Sequence, residues 1–149
     1  MKPMILLLLT VPLMLSCAHL RESDEVDPSI HGTWAGEGRF YDRDLKAEYG
    51  TVALTLEIHP DNSVRGSMGG ATLVEGVIKS RPGDFLIEGA LTGQVFDAGS
   101  FPEEEKDNLV IILKPPESET TTGDFHLKTN LAFDFSMRAG AVTLSRTAS

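Results

Sequence analysis

The run TVALTLEI, residues 51–58, alternates without a break. Val52, Leu54, Leu56 and Ile58 fall on one side of an extended chain, and Ala53, Thr55 and Glu57 fall on the other. A period of two describes a strand with one face buried. The next five residues, HPDNS (His59–Ser63), read as a turn, with Pro60 fixing φ and Asp61 and Asn62 able to bond their own backbone. Val64–Met68 then returns as the second strand of a hairpin.

The same pattern extends outward in both directions. ATLVEGVIK (Ala71–Lys79) is followed by a turn, RPGD (Arg81–Asp84), and then by FLIEGALTG (Phe85–Gly93). LVIIL (Leu109–Leu113) is a continuous apolar run between Asn108 and the pair Pro115–Pro116, which suits a strand covered on both faces. Farther on, Leu131, Phe133, Phe135 and Met137 alternate with Ala132, Asp134, Ser136 and Arg138. GDFHLKTNLAFDFSM is therefore one long bent strand or two strands parted near Thr129 and Asn130. Ala139 and Gly140 are expected to turn the chain into a last strand, AVTLSR.

This gives seven to nine strands and no helix. Short connections make the neighbours antiparallel, and so many strands in a domain of this size must close or fold over to protect their edges. By strand phase Gly66 falls with Val64 and Met68, Gly76 with Val74 and Ile78, and Gly89 with Ile87 and Leu91. Glycine on a buried face lets a sheet bend sharply. The expectation is an all-β, up-and-down antiparallel barrel of about eight strands, spanning residues 30–149.

The residues before it read differently. Met4–Met14 is an apolar run behind Lys2, ending in small and polar residues near Ser16. It is too short for a permanent bilayer span and has the layout of a secretory signal, residues 1–16. The stretch MLSC (Met14–Cys17) resembles the lipobox of bacterial lipoproteins. That resemblance implies cleavage before Cys17, acylation of its thiol and residence in the bacterial cell envelope. Ala18 is not the Asp that accompanies retention away from the outer membrane in the Gram-negative members, so an outer-membrane location follows. Cys17 is the chain's one cysteine, and acylation would explain an odd thiol in an oxidising compartment. Residues 17–29 then form an acidic, lipidated tether, up to about 40 Å long at about 3.3 Å per residue.

The chain carries a net charge of −9, and loss of the signal removes one lysine and no acid. Such a domain is repelled by nucleic acid and by anionic lipid surfaces. Its membrane contact is therefore expected through acylated Cys17 alone.

In HGTWAGEGRF the residues Gly32, Thr33 and Trp34 form a G-x-W that resembles the opening motif of the lipocalins and their calycin relatives. In that family the tryptophan closes one end of the barrel and packs against an arginine from the last strand. Arg146 stands where that partner would be. The resemblance implies a structural plug made by Trp34 and Arg146.

No arrangement of catalytic residues stands out. The four histidines, His19, His31, His59 and His126, lack the paired spacing of a zinc site. The acidic run Glu103–Asp107 and the stretch YDRDLKAEYG lack the glycine-bearing ladder of a calcium loop. No metal, cofactor or enzymatic activity is expected. Two functions remain. The first is a non-catalytic envelope interaction module with a filled core, offering an acidic surface or a sheet edge to another protein. The second is a binding protein for a small, largely apolar ligand, its mouth built from residues 92–108 and 115–123, with Phe96 and Phe101 as loop contacts.

Overall fold

A computed structural model describes residues 25–96, 107–130 and 135–148. The signal segment, Cys17 and Phe101 lie outside the described residues. Eight strands run in sequence order around a closed antiparallel barrel: β1 (Gly32–Phe40), β2 (Thr51–Ile58), β3 (Ser63–Met68), β4 (Ala71–Arg81), β5 (Asp84–Thr92), β6 (Asp107–Leu113), β7 (Thr120–Asn130) and β8 (Phe135–Arg146). The seam pairs β1 with β8, from Trp34 opposite Arg146 to Phe40 opposite Gly140.

The alternation of residues 51–58 survives intact. Val52, Leu54, Leu56 and Ile58 are buried and their neighbours are exposed. The β2–β3 turn forms through Asp61, whose carboxylate accepts from the Ser63 N–H at 3.0 Å and its hydroxyl at 2.6 Å. Interior positions from every strand meet along the axis. Leu56, Ile87, Ile111, Phe125 and Leu144 are each at most 1% exposed, and burial of such a side chain contributes about 1.5–3 kcal/mol. The outer wall carries Glu37, Arg39, Thr55, Glu57, Arg65 and Thr72, all exposed or half-buried. On β4 to β6 the same face also carries Val77, 44% exposed, and half-buried Val110 and Ile112, so the wall is mixed. An apolar lumen inside a wall that bears these charges is the reverse of a barrel that spans a bilayer.

Several expectations are corrected. YDRDLKAEYG contains a short helix, α1 (Arg43–Tyr49), capped by Asp42, which accepts from the Asp44 and Leu45 N–H groups at 2.7 and 3.2 Å. Gly50, at φ +68°, ends it. Leu45 and Tyr49, one turn apart, pack against the core. Two apolar residues in seven gave too little period to read as a helix.

The AG at residues 139 and 140 does not turn. β8 runs straight through it, and Gly140 lies opposite both Phe40 and Phe125. β7 and β8 are separate strands. Val74 is not in phase with Gly76 and Ile78, because a bulge at Glu75, φ +54°, shifts the register between Val74 and Val77. Leu73 and Gly76 thus both face inward.

Among the described residues the closed ladder leaves no strand edge unpaired by a neighbouring strand. The chain ascribed to a solvated tether also enters the fold before Ile30. Val26 is only 6% exposed, and Pro28–Ile30 form a 3₁₀ turn capped by Asp27.

Candidate functional site

Each wall strand spans the barrel, so connections alternate between its two ends. The β2–β3, β4–β5 and β6–β7 connections share one end with the 3₁₀ turn. The β1–β2 connection with α1, the Gly69–Gly70 turn and the residues after β5 share the other. Residues 92–108 and 115–123 were expected to form one mouth. Of these, the described residues 93–96 follow β5 at one end and 115–119 lie in the β6–β7 connection at the other, and β7 already begins at Thr120.

The first end is closed by Trp34 and Arg146, which the structure brings together. Trp34 is fully buried, and its indole N–H donates to the Ile30 carbonyl at 2.8 Å. The Arg146 guanidinium lies 4.3 Å from the centre of that ring. Its Nη1 and Nη2 donate to the carbonyls of His31 and Ser29, each at 2.5 Å, and its Nε is 3.1 Å from the Glu119 carboxylate. The planar fork suits this task, because one rigid group can stack on a ring and bond two carbonyls at once. A charged last-strand residue thereby fastens the segment that precedes β1 across the end of the barrel. Asp27 adds to this by accepting from the Ser29 N–H at 2.8 Å, and that bond holds its carboxyl below the usual carboxylate range.

The opposite end is filled by aromatic rings. Phe40 meets Phe125 edge-on at 5.5 Å, tilts against Phe96 at 5.6 Å, and Phe96 stacks on Tyr49 at 4.3 Å. Val95 is buried beside them. The Arg138 guanidinium sits 5.6 Å from both the Tyr49 and Phe96 rings. Phe96, read as a free loop contact, is therefore half-buried in a stack.

Tyr49 and Arg138 were missed by sequence reading. Tyr49 lay in the unread helix. Arg138 falls in the alternation with Ala132, Asp134 and Ser136, opposite in phase to Met137, yet it pairs with Leu127, an interior position. Counting back by twos from the buried Leu144 and Val142 through Gly140 reaches Arg138, so the signal was present in AVTLSR.

Beside this cluster lies an open groove of about 560 Å³, bordered by Glu48, Tyr49, Val52, Gly69, Val95 and Phe96. Three further depressions lie on the strand walls and the outer face, and along the axis Leu56, Ile87, Ile111 and Phe125 are buried to 1% exposure or less. Tyr41, 61% exposed, donates its hydroxyl to Asp124 on the outer face, a contact that raises the Tyr41 pKa above its ordinary value. Among the described residues no three His, Asp or Glu side chains converge as metal ligands would.

The eight-stranded antiparallel meander is compatible with a lipocalin-like domain. No family model matches the chain, and no curated protein or solved structure matches it significantly.

Proposed function

We propose that this protein is a lipid-anchored module of the bacterial cell envelope, held at a membrane by acylated Cys17, that acts by contact with another envelope protein and not by catalysis. The observation that carries this reading is the filled lumen: side chains such as Leu56, Ile111 and Phe125 occupy the axis where a hollow lipocalin-like barrel would hold its ligand. Function is then left to the outside of the barrel. The charged side chains on the wall, among them Glu37, Arg39, Glu57 and Arg65, and the lipobox resemblance support attachment by acyl chains and not by the strands themselves.

A second reading has its own observation. The groove beside Phe96 and Tyr49 is large enough for a small apolar molecule, so a ligand would bind there, at the helix end, and not on the axis.

Photo-crosslinking in intact cells from single exposed positions around the barrel tests the module. The expected result is a discrete product with another envelope protein from positions clustered on one surface. No product from any position, together with micromolar binding of an apolar molecule in the groove, would contradict it.

A further inference from the structure

We infer that the barrel stands with its Trp34 end toward the membrane and its α1 end turned away, an inference that rests on the anchored-module reading above. The first described residues, 25–30, lie at the Trp34 end. Val26 is buried, Asp27 caps the 3₁₀ turn, and Arg146 bonds the carbonyls of Ser29 and His31, so this stretch is fixed across the Trp34 end. It cannot swing to the other end without breaking those contacts.

Free chain length sets the limit. Cys17 to Glu25 is eight steps, which reach about 26 Å when fully extended at ~3.3 Å each. Wall strands of about nine residues rise some 20 Å once tilted, and α1 adds a helix diameter of about 10 Å. Seating α1 on the bilayer would thus need about 30 Å of tether, more than exists. The acids at the Trp34 end, among them Glu25, Asp27, Glu117 and Glu119, are exposed. Anionic lipid repels them, so it is the short span from Cys17, and not surface charge, that holds this end toward the bilayer.

The test uses the full chain, exported and purified with its anchor. Because acylation blocks the thiol of Cys17, a cysteine introduced by Glu117→Cys at the Trp34 end or by Ala47→Cys on α1 is the single site for a fluorescent donor. Each labelled protein is reconstituted into vesicles of phosphatidylethanolamine and phosphatidylglycerol containing a headgroup acceptor, after its mass has been read. Energy transfer from position 117 is expected to exceed that from position 47 at least roughly twofold, given the ~30 Å that separates the ends. Equal or reversed transfer in protein of acylated mass overturns the orientation alone. A mass without acyl chains overturns the anchored reading and the orientation with it.

Discussion

The guanidinium of Arg146 lies 4.3 Å over the ring of Trp34, and the two residues face each other across the seam where the last strand pairs with the first. The contact that closes the end of the barrel is therefore also the contact that closes its wall. It binds the chain before β1 to the same place, through Ser29 and His31.

Removal of that guanidinium should cost more than a surface ion pair. Arg146→Ala is expected to lower stability by about 1.5–3 kcal/mol, the range for hydrogen bonds to a charged group. Arg146→Lys should recover only part, since an ammonium cannot stack and bond two carbonyls together. Urea unfolding midpoints measure both, and a lysine variant equal to the native protein would show that charge alone matters.

Trp34 tests packing and hydrogen bonding separately. Trp34→Ala should destabilise by about 3–5 kcal/mol. Trp34→Phe keeps a ring but leaves the Ile30 carbonyl without its donor, for a loss of about 1–3 kcal/mol with the unmade bond included. Calorimetric melting of the two variants should rank them in that order.

The wall of the barrel is tightly drawn at Gly123. A Cβ placed there would lie 1.9 Å from the Ile112 carbonyl oxygen on the neighbouring strand, so the backbone itself must move to admit it. Gly123→Ala is expected to cost about 1–3 kcal/mol, as overpacking does. The exposed neighbour change Thr122→Ala should stay within about 0.5 kcal/mol. Equal midpoints for the two variants would show that the strands are farther apart than described.

Acid should weaken the Trp34 end. The hydroxyl and N–H of Ser63 depress the Asp61 pKa, and the Ser29 N–H depresses that of Asp27. A depressed carboxylate contributes stability above its unfolded pKa of about 3.9 and loses it as pH falls through the folded value. Stability should decline as pH drops below about 4, and Asp27→Asn with Asp61→Asn should flatten that decline. An unchanged pH slope in the double variant would contradict the assignment.

Tyr41 provides the alkaline counterpart. Its hydrogen bond to Asp124, with some burial and the nearby negative charge, raises its pKa, so its contribution is present below about 10 and is lost as pH rises through the folded value. Ultraviolet titration should show one tyrosine ionising late, and Asp124→Asn should bring it back toward the ordinary value.

The barrel was legible because local and global signals agree in residues 51–58: one strict alternation, one turn of suitable chemistry and a return strand. Trp34 and Arg146 stood out through the G-x-W resemblance, which implies an arginine partner from the last strand. The aromatic cluster at the other end was hidden for physical reasons. Seven residues of α1 bury only parts of Leu45 and Tyr49, too few to reveal a helical period. The assumed break at Ala139 cut β8 in two and hid the phase that Arg138 shares with Val142 and Leu144. The bulge at Glu75 erases alternation by one residue and leaves no mark in composition. Which end a loop occupies depends on the number of strands before it, so the two irregular segments could not be assigned until that number was fixed.

The central claim is that side chains, and not a ligand, occupy the axis of the barrel. Methyl-resolved NMR during titration with a small apolar fluorescent probe addresses it directly. Resonances of Leu56, Ile111 and Leu144 should stay in place while any change is confined to Val52 and Val95 at the groove. Stoichiometric binding with shifts at Leu56, Ile111 and Leu144 would contradict the filled interior and the function proposed from it.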